Sequence, residues 1–188
     1  MPGASKSTIT YMLVGAAIIF IAAFIGVRAG FALKSNKGMD FTPEGFSNQT
    51  SLKIGDLAPA LPVVSLNGES GLMPDMIRRR KTLLAIVLPG CGPCRNLLDD
   101  WSERSFAENA VWLPAVMAVG TPEQAAAELP DDFRARFPVY FCDEQVLDSL
   151  CRVAVFPTLL GIGQDGRIRF IISGYVGRID RRFFDKYL

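Results

Sequence analysis

Two cysteines are separated by two residues in Cys91-Gly92-Pro93-Cys94. A thiolate is the nucleophile of disulfide exchange, and a second thiol one helical turn away can attack the resulting mixed disulfide and release the captured partner. A helix beginning at the motif would favour the thiolate on Cys91 through its positive dipole end and its free backbone N–H groups. Cys91 is then the attacking thiol and Cys94 the resolving one. Pro93 suits a first helical turn, where a missing N–H donor costs nothing, and Gly92 keeps the approach to the sulfur open. Half of a zinc site is the competing reading. The remaining two cysteines, Cys142 and Cys151, form no second Cys-x-x-Cys, and the chain has no histidine to replace one, so no metal or other cofactor is expected.

The absence of histidine also removes Ser-His and Cys-His nucleophile pairs and the usual neutral-pH general base, which excludes most common hydrolases. A net charge of +1 provides no field to draw the protein onto nucleic acid. At 188 residues there is room for one globular unit with a real core.

The elements around the motif read as an α/β unit. Thr82 to Leu88 is a continuous apolar run bounded by Arg78-Arg79-Arg80-Lys81 and Pro89-Gly90, the pattern of a central strand buried on both faces. Leu97, Leu98, Trp101 and Ser105 then recur at helical spacing, predicting a helix from the motif to about Phe106. Upstream, Leu61 to Leu66 with Asn67-Gly68 predicts an opening strand and a hairpin turn. Downstream, Val111 to Val119 reads as a strand with Pro114 as a blemish, and Thr121-Pro122-Glu123 as a helix start. Phe137 to Phe141, a helix from Asp143 to Leu150, Thr158 to Ile162, the turn Gln164-Asp165-Gly166, Ile168 to Ile172 and a closing helix from Ile179 to Leu188 complete the pattern. The basic run 78–81 reads as a solvated turn, and Arg178, Arg181, Arg182 and Lys186 as the wet face of the last helix.

Ahead of this unit, Tyr11 to Val27 carries no charge and approaches the ~17 to 25 residues that a bilayer-spanning helix needs. It reads as a retained anchor more than as a cleaved signal peptide, although Val27-Arg28-Ala29 offers a small-residue cleavage site. The division is a short tail over 1–10, a transmembrane anchor over 11–27, a Gly-, Ser- and Asn-containing tether over 28–53 and a folded domain over 54–188. Counting Lys6 against Arg28, Lys34 and Lys37 favours the amino terminus outside. The cysteine content favours the opposite arrangement, with the domain in an oxidising compartment.

Cys91-Gly92-Pro93-Cys94 is the active-site tetrapeptide of thioredoxins, and the wider pattern resembles their membrane-tethered TlpA/ResA branch. Gly55-Asp56-x-Ala58-Pro59, the Asn67-Gly68 turn, Phe137-Pro138-Val139, Asp143 to Asp148, Phe156-Pro157-Thr158 and Asp165-Gly166-Arg167-Ile168 fall in that family's order over residues 54 to 176. The resemblance implies a thioredoxin-like fold, a central mixed β-sheet flanked by helices, preceded by one N-terminal transmembrane helix. It also implies an anchor in a bacterial inner membrane with the domain on the periplasmic side, and thiol:disulfide exchange with cysteines of exported proteins. Reduction or isomerisation is the expected direction, and a reductase would need a transmembrane electron donor. Pro157 would be a cis-proline facing the cysteine pair, with Gly92, Pro93, Phe156 and Thr158 around the groove for a partner chain.

The chain also departs from the family. Gly90 stands where thioredoxins have tryptophan, Ala85 where they have a buried aspartate, and Leu97 where many TlpA/ResA relatives have glutamate. Proton transfer at Cys94 is then left to water, Lys81 or an unidentified group. Pro89 to Leu98 looks closer to MauD, an accessory protein of methylamine dehydrogenase maturation. Gly55-Asp56-x-Ala58-Pro59 also resembles peroxiredoxins, but Leu88 replaces their threonine. The same fold and motif would also suit a copper chaperone, since thiolates bind Cu(I), or a redox-inert assembly factor that uses only the groove. For Cys142 and Cys151, flanking a short helix, a second disulfide is the leading expectation in an exported domain; buried free thiols and a second redox pair stay open.

Overall fold

The computed structural model describes residues 49–77, 80–103, 106–108, 110–124, 129 and 131–188. The expected tail, the anchor over 11–27 and most of the tether lie outside these residues, and among the described residues no helix is long and apolar enough to cross a membrane. The last tether residues are already bound to the domain. The Cys151 carbonyl accepts from Ser51 N, and Ala154 N donates to the Gln49 carbonyl.

The strands are β1 (Pro62–Ser65), β2 (Ser70–Leu72), β3 (Thr82–Val87), β4 (Leu113–Val119), β5 (Val139–Cys142), β6 (Thr158–Ile162) and β7 (Ile168–Ser173). They form one mixed sheet in the order β2-β1-β5-β4-β3-β6-β7, with β3, β4 and β5 parallel and β6 antiparallel to β3. The described helices are α1 (Met73–Met76), α2 (Gly92–Ser102), α3 (Asp131–Arg136), α4 (Glu144–Cys151) and α5 (Arg181–Tyr187). The Asn67-Gly68 turn joins β1 to β2 as expected, with Gly68 at a φ of 81° that favours glycine.

Every residue of β3 is buried, which explains its unbroken apolar run. Alternation sends Leu83, Ala85 and Val87 to one face with Cys94, Leu97 and Trp101 of α2, Phe133 of α3 and Phe184 of α5. Leu84 and Ile86 point to the other face, with Met73 of α1 and Leu147 and Cys151 of α4. The sheet thus separates two apolar cores.

Pro114 does not interrupt β4. Leu113 N donates toward β3, to the Lys81 carbonyl, and Val116 N toward β5, to the Pro138 carbonyl. By alternation Pro114 nitrogen faces the β5 side, where pairing begins only at Val116 with Val139, so its missing donor breaks no ladder bond. α2 ends at Ser102, short of the expected Phe106, because Glu103 turns extended and Phe106 folds back to stack on Trp101 with ring centroids 4.9 Å apart. Thr121 and Gln124 cap each other's backbone amides, as the predicted helix start requires. The short helix α3 has no counterpart among the expected elements.

Candidate active site

The carboxyl ends of β3 and β4 and the amino end of β6 lie at one end of the sheet, since Val87 pairs with Ala118 and Ile86 with Thr158. The motif leaves β3 there. Gly90, at φ 75°, makes the turn into α2, a backbone conformation that disfavours the tryptophan found in thioredoxins. Cys91 is the N-cap residue, and its Sγ accepts a hydrogen bond from Cys94 N at 3.1 Å. The sulfur therefore sits at the positive end of an eleven-residue helix, Gly92 to Ser102, where a thiolate is stabilised by the dipole and by a directed N–H. Cys91 and Cys94 are joined as a disulfide with Cα atoms 5.2 Å apart. Cys91 is half-buried, Gly92 and Pro93 are exposed, and Cys94 is buried.

Across from the pair, the Phe156–Pro157 peptide bond is cis. The Phe156 carbonyl oxygen is 3.9 Å from Cys91 Sγ, so the loop and that sulfur border the same space. Phe156 is half-buried. Thr158, expected at the groove, is fully buried and its hydroxyl donates to the Val155 carbonyl at 2.7 Å. It fastens the loop from within and does not line the groove. Gly174 N donates to the Pro157 carbonyl at 2.7 Å, tying the loop to the end of β7.

Cys94 packs in the same buried cluster as Ala85, Leu97, Trp101 and Leu159, so the two sites that lack a family carboxylate are filled by apolar groups. Lys81 precedes Thr82 at the far end of β3, roughly 20 Å from the motif at ~3.3 Å per strand residue, which removes it as a proton carrier for Cys94.

The expected bridge between Cys142 and Cys151 is not formed: both are free, buried thiols. Cys142 ends β5 and Cys151 is the last residue of α4. Both side chains enter one apolar core, near enough that charge on Cys142 raises the Cys151 thiol, yet their sulfurs are not bonded. Burial pushes the Cys142 thiol up to about 11 and the Cys151 thiol to about 12. Both belong to the opposite core from Cys94, so no relay to the motif passes through the sheet. Among the described residues no group of three or more His, Cys, Asp or Glu could hold a metal ion.

Two contacts beside this site carry no signal in the sequence. Tyr175 donates from its hydroxyl to Asp100 Oδ2 of α2 at 2.9 Å. Arg178, expected on the last helix, precedes that helix and makes a bidentate pair with Glu103 at 2.8 and 2.6 Å.

No protein-family model matches the chain, and no curated protein matches its sequence. Solved structures do match. A proposed protein disulfide isomerase of Bacteroides thetaiotaomicron superposes with a TM-score of 0.57 at 15% identity, over 70% of this chain and 86% of that one. A thiol:disulfide interchange protein from Bacteroides sp. gives 0.53 at 17% identity, over 72% and 88%. A secreted disulfide oxidoreductase of Mycobacterium tuberculosis gives 0.52 at 12%, over 68% and 93%. With identities this low the likeness speaks for the fold, and together with the sheet order, the motif at the start of α2 and the cis-proline opposite it, it establishes that this chain has the thioredoxin-like fold.

Proposed function

We propose that the chain is a thiol:disulfide oxidoreductase working through Cys91 and Cys94. The observation that carries this reading is the placement of Cys91 Sγ: half-buried, at the start of α2, capped by Cys94 N and bordered by the cis-proline loop. In the reducing direction the Cys91 thiolate attacks one sulfur of a partner disulfide. A mixed disulfide forms and the partner's other sulfur leaves as a thiolate that takes up a proton. Cys94, deprotonated, then attacks Cys91 Sγ, closing the Cys91–Cys94 bridge and releasing the partner's second thiolate. Two electrons pass to the partner, and a donor dithiol restores the pair. Gly92 and Pro93 leave the sulfur approachable, and the Phe156–Pro157 edge receives the partner chain.

The partners we infer are cysteines of exported proteins, met by a periplasm-facing domain that residues 11–27 anchor in the membrane, with a transmembrane electron donor. The apolar character of 11–27 and the resemblance to the TlpA/ResA branch support this placement, and the sequence around the motif supports a MauD-like setting.

Cys94→Ser tests the activity. Incubated reduced with insulin, this variant should accumulate an insulin chain bound to Cys91 and released by dithiothreitol, and Cys91→Ser/Cys94→Ser should bind none. Absence of any Cys91 adduct in Cys94→Ser would refute the proposal.

A further inference from the structure

The segment after β7 touches both the cis-proline loop and the last turn of α2. At one end Gly174 N holds the Pro157 carbonyl at 2.7 Å, and a side chain added at Gly174 would meet Val155 of the same loop at 3.5 Å. One residue on, the Tyr175 hydroxyl donates to Asp100 Oδ2 at 2.9 Å, and three further on Arg178 forks onto Glu103, the C-cap of α2. Asp100 and Glu103 are on the helix that carries both cysteines and at its end. Residues 174–178 are therefore a strap fastened to the cis-proline loop by its backbone and to the cysteine helix by two side chains.

The space between that loop and Cys91 is the one a partner must enter. Cys91 Sγ and the Phe156 carbonyl are 3.9 Å apart, and they are carried by separate elements, α2 and the β6 approach. A polypeptide disulfide must place a sulfur in line with Cys91 while its backbone lies along the loop, so a shift between the elements disturbs its productive alignment. A small disulfide needs the sulfur alone.

We propose that Tyr175, through Asp100, is a positioning residue that sets the cis-proline loop against Cys91 and so favours polypeptide disulfides over small ones. This rests on the activity proposed above. Steady-state reduction of insulin with dithiothreitol as the terminal reductant, and single-turnover reduction of the small disulfide dithiobis(nitrobenzoate) by the pre-reduced chain freed of dithiothreitol, compare the full chain with Tyr175→Phe, Asp100→Ala and the double variant. Tyr175→Phe should raise KM for insulin roughly fivefold to tenfold, the size of an ordinary net hydrogen-bond contribution, with kcat within about twofold. Its loss on insulin should exceed its loss on the small disulfide by at least about threefold. Asp100→Ala should reproduce the split, and the double variant should add nothing to either, because the two side chains act as one pair. Equal losses on both substrates, no change in insulin KM, or additive effects in the double variant would overturn the strap alone. A wild-type chain inert toward both disulfides would overturn the activity reading and this inference with it.

Discussion

The two faces of the central sheet each hold cysteines, and they hold them in opposite ways. On the α2 face, Cys91 sits where a strand gives way to a helix, with a backbone N–H aimed at its sulfur and Cys94 one turn further on. On the α4 face, Cys142 and Cys151 are 1% and 0% exposed, share a core with Met117, Leu147 and Leu160, and burial raises both thiols. The residue type is the same and the setting is not: a helix start with solvent access favours a thiolate, and an apolar core makes a small hydrophobe with a sulfur in it.

The sharpest way to break this contrast is to move the same change from one face to the other. Cys91→Ser should lower insulin reduction by roughly a thousandfold or more, to the level without enzyme, since an alcohol does not replace a thiolate in exchange. Cys142→Ala should leave the rate per folded molecule within about twofold, because that sulfur takes no part. On the α4 face the expected loss is in stability. Cys151→Ser places a hydroxyl in an apolar core and should cost about 1 to 3 kcal/mol in urea unfolding. On the α2 face, Gly161→Ala should cost a similar ~1 to 3 kcal/mol, because a methyl there would run into the Phe170 ring. The buried thiols add a pH signature. They keep their protons in the folded chain to about 11 and 12, while in the unfolded chain they lose them near the ordinary value of 9.0. Their contribution is complete below pH 9.0 and is lost as pH rises toward 11 and 12, so the urea midpoint should fall over that window, less steeply in Cys142→Ala/Cys151→Ala. The smallest effect is expected at Asp143→Ala, which removes the cap that accepts from Gln145 N and Val146 N and should cost about 1 kcal/mol.

Much of the α2 face is legible in the residues alone. The run over 82–87 is buried on both sides and reads as a central strand, and the Cys-x-x-Cys before a helical period places the motif at a helix start. These are local patterns, set by alternation and capping. The α4 face misleads in one respect, because a bridge needs the sulfurs of Cys142 and Cys151 to meet in the right geometry, and two cysteines brought into one core need not do so. The strap is invisible for the same reason. Tyr175 and Asp100 are 75 residues apart, and only the return of β7 beside the cysteine helix brings them together. Arg178 carries no sign in the sequence that separates it from the arginines of α5.

The most direct test of the central claim is to reduce the folded chain, alkylate it with iodoacetamide across a pH series and read each cysteine by mass spectrometry. Cys91 should label with a midpoint well below the ordinary thiol value, while Cys142 and Cys151 in the same sample stay unmodified until the chain is unfolded. Labelling of Cys91 only as an ordinary thiol, or no faster than the two buried cysteines, would contradict the account.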